Sequence, residues 1–383
     1  MSLTAPELSR LRQLADAYVE KTVELTQRIC AIPAPTGDEG ARAEFVAGLL
    51  RERGYRPEMD DVKNVYVRRG KRGAGPVLML LAHTDTVFPA STPLVIKREG
   101  DVLRGPGISD NSVSVAAMLS TLDMLDALGW ENDQDIIAVA NVGEEGLGNL
   151  LGARTAVERY LNELGAVIAI DGWLGTIVNA GVGSKRWRIT VQGPGGHSFG
   201  SFGTPSAIHG LGRIIAAISS LRVPREPKTT YNVGVIEGGT SVNTIAPTAT
   251  ALLDMRSTDV AALNRLAAQA RDVIEHAAEP GLSVRIDVLG ERPVGALEQS
   301  APLIQLATRC LNWLGIEPYF TASSTDANIP LSLNIPAICV GVTYSERVHT
   351  VDEWLLIPPI ALGLAQLLRL SIETCTLLAA QKS

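Results

Sequence analysis

A chain of 383 residues is long enough for two or three domains, and 46% hydrophobic against 20% charged residues excludes a disordered chain. The balance of 34 Lys+Arg against 41 Asp+Glu, a formal charge of −7, argues against nucleic acid or an anionic membrane as partner. A globular enzyme is the expectation that remains, with only five histidines to consider one by one.

In chain order, the first 30 residues carry Glu7, Arg10, Arg12, Asp16, Glu20 and Lys21 among their apolar positions. They read as an amphipathic helix and not as a signal peptide, which makes a cytoplasmic protein the expectation. After the loop IPAPTGDEG, ARAEFVAGLLRERG reads as a helix and NVYVRR as a short strand. A pattern then recurs. PVLMLLA ends at His83, DIIAVANVG at Glu144-Glu145 and AVIAI at Asp171, while PAICVGV ends a few residues before His349. Short, continuous apolar runs are strands buried on both faces. Helical patterns between them predict an α/β fold with a largely parallel sheet sandwiched by helices, in which sites collect at the carboxyl ends of the strands.

Residues 183–292 read differently, as strand, helix, strand, strand, helix, strand with alternating polarity. That order is a ferredoxin-like α+β unit. Because βα patterning resumes with LIQLATRCLNWLG, the expected domains are 1–182 with 293–383, and an inserted 183–292. The apolar stretch 354–370 is interrupted by Pro358-Pro359, Gln366 and Arg369 and is predicted to be too short and broken to span a bilayer. Cys30, Cys310, Cys339 and Cys375 form no close pair, so reduced thiols are expected in place of disulfides or a cysteine-zinc site.

Several polar residues could carry chemistry, each with a plainer reading beside it. Asp85 lies two residues from His83 on extended chain, so its carboxylate can fix the imidazole tautomer of a ligand histidine. Asp110, in GPGISDNS before a helical pattern, is either an N-cap or a carboxylate bridging two cations. Glu144 and Glu145 are either an exposed turn or a ligand and a base, since two buried adjacent carboxylates repel unless a cation is present. Asp171-Gly172 also fits a turn, and His197 sits in the glycine-rich GPGGHSFG. His209 and His276 fall inside helical patterns and read as structural. Oxygen and nitrogen donors without cysteine suit zinc, with cobalt or manganese as substitutes.

Taken together, HTD at 83–85, GISDN, GEEG at 143–146, IDG at 170–172, GGHS at 195–198, GGTSVN at 238–243, DMR at 254–256 and the late His349 resemble one family. It is the dinuclear zinc exopeptidase and deacylase family of peptidase T, carboxypeptidase G, acetylornithine deacetylase and succinyl-diaminopimelate desuccinylase. The resemblance implies two Zn²⁺ per subunit, one on His83 and Asp171, the other on Glu145 and His349, with Asp110 bridging. Asp85 would orient His83 and Glu144 would be the general base acting on a metal-bridged hydroxide. It further implies a cis Asp110–Asn111 peptide and a homodimer formed through the inserted domain. His197 would reach a partner's active site, and Asn243 and Arg256 would hold the substrate. Asp171, where the family's deacylases more often carry Glu, and the wording GEEGLGNLLGAR and SSTDANIPLSLNIPAI look closer to the peptidase T-like branch. Ser112-Val113 departs from the family's usual Lys-Gly. The implied activity is exopeptidase hydrolysis of short peptides, with an N-acyl-amino-acid deacylase as the alternative and a non-catalytic peptide-binding relative as the rival of another class. GPGIS and GVGSK are no Walker loop, which sets a nucleotide-binding reading aside.

Overall fold

The computed structural model describes residues 3–70, 75–131, 134–277 and 279–380. The chain forms two compact units, Met1–Gly181 with Gly295–Ser383, and Val182–Val294.

The first unit is built on a mixed sheet whose central strands are parallel. Ile136–Asn141, Val77–His83, Leu164–Ile170 and Ala337–Val340 lie side by side in that order. Antiparallel strands, Val65–Arg69 on one side and Thr176–Gly181 on the other, flank them. The strand Val77–His83 shows why the apolar runs are unbroken. Leu78, Leu80 and Ala82 join one core cluster, and Val77, Met79 and Leu81 join the other. With period-two side chains and helices on both faces, every position is buried.

One helix departs from its sequence reading. Pro358-Pro359 starts it instead of breaking it, and it runs Ile360–Ala380, 21 residues, long and apolar enough by length and composition to cross a membrane. However, 78% of its apolar window is buried inside the protein. It packs on the helices Ala5–Cys30, Val113–Ala127 and Pro302–Leu314. Its buried charges, Arg369 and Glu373, pair one turn apart at 3.2 Å. The helix is therefore a core element.

A small antiparallel sheet, Ser345–Glu346, Trp354–Leu356, Val102–Arg104 and Lys97–Glu99, lies in the same unit. In the second unit four antiparallel strands run in the order Thr229–Gly238, Thr248–Ser257, Gly183–Gln192, Ser283–Arg292. The helices Ala207–Ser219 and Val260–His276 pack on one face over Trp187, Ile189, Val191 and Leu253. All four cysteines are buried free thiols.

Candidate metal centre

The carboxyl ends of the parallel strands bring the polar residues of the first unit together. His83 ends the strand Val77–His83, Glu144 and Glu145 follow Ile136–Asn141, and Asp171 follows Leu164–Ile170. Asp110 comes from the loop before the helix Val113–Ala127, and His349 from the turn before Trp354–Leu356.

Asp110 does not cap its helix. The cap is Ser112, whose side chain makes no capping bond to the helix, and the Asp110 carboxylate instead lies between two imidazoles. Its Oδ1 is 3.1 Å from His83 Nε2 and its Oδ2 is 3.0 Å from His349 Nε2. Glu144 and Glu145 are each 6% exposed, so the exposed-turn reading fails. Glu145 Oε1 stands 2.9 Å from His349 Nε2. Asp171 fits both of its readings: one oxygen accepts the Gly172 N–H at 2.6 Å, and the carboxylate also groups with His83 and Asp110.

Three sets of donor atoms lie within 4.8 Å of one another: His83, Asp110 and Asp171; Asp110, Glu145 and His349; and His83, Glu144 and Glu145. Asp110 is common to the first two. His83 Nε2 is buried without a well-aligned hydrogen bond, as an imidazole kept for a cation would be. The charges give the same answer. Burial opposes a charged His83, yet Asp110 and Asp85 hold its pKa well above the ordinary value. Asp110 and Glu145 push His349 up to about 10. Burial, then the charge of Asp110, pushes the Asp171 carboxyl up to about 7. Protons stand where this donor set would place divalent cations, so the residues fit a metal pair.

Sequence reasoning missed several supports. Asp85 does more than face His83 Nδ1 at 3.4 Å, because it also accepts the backbone N–H groups of Glu144 and Glu145, at 3.0 and 2.9 Å. Thr36 Oγ1 donates to it at 2.9 Å. The Asp110–Asn111 peptide is cis, as the resemblance implies; what went unforeseen is that Asn111 Nδ2 donates to Ile170 O at 2.8 Å, tying the Asp110 loop to the strand before Asp171. Asn141 Nδ2 donates to Asp326 Oδ2 at 2.7 Å. Glu353, fully buried beneath the Asp110 loop, left little trace in the sequence, the second of two adjacent acids, Asp352-Glu353, before the apolar Trp354–Leu356.

In the second unit His197 pairs with Thr244 and is exposed. Its Nδ1 accepts the N–H groups of Phe199 and Gly200 at 3.3 and 3.2 Å, so the neutral ring carries its proton on Nε2. Asn243 lies beside it, its carbonyl accepting the Ser198 N–H at 2.9 Å. Arg256 lies on a separate strand, its Nε donating to Asp254 Oδ2 at 2.7 Å.

Compared with known proteins, residues 79–373 match the profile of Peptidase family M20/M25/M40. The chain belongs to that family. This M20 protein is therefore a metal-dependent hydrolase of amide bonds. A succinyl-diaminopimelate desuccinylase from a Methylobacterium is 28% identical, over 86% of this chain and 90% of its own. Among solved structures, a tripeptidase from Staphylococcus aureus aligns with a TM-score of 0.78 at 21% identity, covering 94% of this chain and 99% of its own. A dinuclear metal-binding peptidase from Bacillus subtilis gives 0.69 at 18%, covering 94% and 99%. These two likenesses concern the fold of the M20 protein.

Proposed function

We propose that this M20 protein is a zinc-dependent exopeptidase acting on short peptides. The observation that carries the reading is the position of Asp110 between His83 and His349, with Glu144 buried alongside. His83 and Asp171 would hold one Zn²⁺, Glu145 and His349 the other, and Asp110 both, with Co²⁺ or Mn²⁺ as substitutes. When bound, such a pair lowers the pKa of water and polarises the scissile carbonyl.

The residues supply the rest. Asp85 holds the His83 ring through Nδ1, leaving Nε2 for the site. Glu144 takes a proton from the attacking water and returns it to the leaving amine, a contribution of about 10²–10⁴-fold. Arg256, through its planar fork, and Asn243, through its amide, would hold a substrate carboxylate or the transition-state region. His197, protonated on Nε2, can donate to the oxyanion of a partner subunit if the second unit mediates a homodimer.

A second reading is an N-acyl-amino-acid deacylase, which the desuccinylase relatives favour. Asp171, and the strings around Glu144 and Asp326, favour the peptidase. Metal-stripped protein reloaded with Zn²⁺, Co²⁺ or Mn²⁺ should release amino acids from di- or tripeptides, and a chelator should abolish this. Release from N-acetyl or N-succinyl amino acids alone would move the assignment to the deacylase. No release from either class would leave a peptide-binding relative.

A further inference from the structure

Glu353 has no part in the chemistry above, yet its carboxylate is one of the most heavily engaged in the first unit. It is fully buried. Its Oε1 accepts the Ser109 N–H at 2.6 Å, the Ser109 hydroxyl at 2.8 Å and the Asp110 N–H at 2.9 Å. Its Oε2 accepts the Gly107 N–H at 3.3 Å, and its own carbonyl accepts the Gly105 N–H at 3.0 Å. Five donors from residues 105–110 thus end on a single residue.

The loop they come from has little room. Gly107 has φ +73°, and a Cβ there would lie 2.6 Å from Thr86 Cγ2. Glu353 comes from the segment that also delivers His349. Its N–H donates to Thr350 O at 3.1 Å, and Thr350 N–H donates to Arg347 O at 3.1 Å, closing a compact turn around His349. One short segment therefore holds Asp110 from both ends, the carboxylate through His349 Nε2 and the backbone through Glu353.

From this we infer that Glu353 is a positioning residue, which sets the Asp110 carboxylate where it can serve two cations and ties that position to His349. The inference rests on the metal-site reading above. A buried carboxylate whose only role was to fill space would not need four N–H and O–H donors aimed at it, since burying an anion without them is costly. Partners of this kind behind metal ligands are typically worth about 10–100-fold in metal affinity or activity.

Glu353→Gln keeps the shape but turns an amide NH₂ toward the Gly107 N–H, or toward Ser109 and Asp110 if flipped. Metal-stripped wild type and Glu353→Gln would be titrated with Co²⁺ by calorimetry and visible absorption, with circular dichroism and thermal unfolding of each metal-free protein. The expected result is a folded variant whose Co²⁺ affinity falls by about 10–100-fold, with a changed Co²⁺ spectrum and partial rescue by Glu353→Asp. Wild-type affinity and spectrum in folded Glu353→Gln would overturn the positioning role alone. Wild type that takes up no Co²⁺ would overturn both this role and the metal-site reading. Should Glu353→Gln fail to fold, Ser109→Ala decides, because it removes one donor and leaves the carboxylate. Weakened Co²⁺ binding in that variant supports the role, and unchanged binding overturns it.

Discussion

Asp85 is fully buried, and four groups converge on its carboxylate: His83 Nδ1, Thr36 Oγ1 and the N–H groups of Glu144 and Glu145. One anion thereby orients a histidine and anchors the loop that presents both glutamates. Asp85→Asn would turn an NH₂ against N–H donors, leaving buried donors unpaired at a cost of about 1–3 kcal/mol. Chemical denaturation of the metal-free protein should show that loss, and turnover should fall with it. Glu144→Ala separates chemistry from binding. It should keep the metal content of wild type while turnover drops by at least ~10²-fold, checked by elemental analysis beside steady-state kinetics. Near-normal hydrolysis by this variant would remove Glu144 as the base.

At the scale of elements, much could be read directly. The runs PVLMLLA and AVIAI announce strands covered on both faces because each of their side chains has an apolar partner, and Leu78 and Met79 do sit in different core clusters. His83, Glu144, Glu145 and Asp171 were legible for the same reason, since each terminates such a run abruptly. Glu353 was not, because its partners are backbone N–H groups more than 240 positions away, which no local pattern encodes. Arg42 was missed on the same ground: a buried guanidinium that donates to the carbonyls of Ile32 and Thr84 looks in sequence like any surface arginine. The helix Ile360–Ala380 illustrates the opposite error, in which two prolines suggest a break where the structure uses them as a start. Leu368, fully buried within it, is a direct probe of its core role. Leu368→Ala should cost about 2–5 kcal/mol in unfolding free energy, read from a denaturant midpoint shift.

At the scale of the molecule, the second unit leaves and rejoins the first at one place. Gly181 and Gly295 are paired across an antiparallel ladder, where facing Cα atoms lie about 5 Å apart and a two-residue turn suffices. Replacing Val182–Val294 with Asn-Gly should therefore leave a cooperatively folded, metal-binding first unit. Its turnover should fall roughly 10²–10³-fold, because His197, Asn243 and Arg256 leave with the excised segment. Thermal unfolding, metal content and kinetics test the three parts. Metal uptake should also be coupled to protons. With Asp171 raised to about 7 and His349 to about 10, cations must displace protons across that window, so affinity should rise with pH between these values. Calorimetry in buffers of different ionisation enthalpy should register the released protons.

The placement of Ala337–Val340 against both Leu164–Ile170 and Thr176–Gly181 bears on how the protein is made. A ribosome delivers both neighbours long before the strand that joins them. The nascent chain must carry two unsatisfied sheet edges while residues 182–336 are made, a state open to intermolecular pairing. The contiguous Val182–Val294 can fold during that interval. Completion of the central sheet, and with it the arrival of His349, belongs to the end of translation.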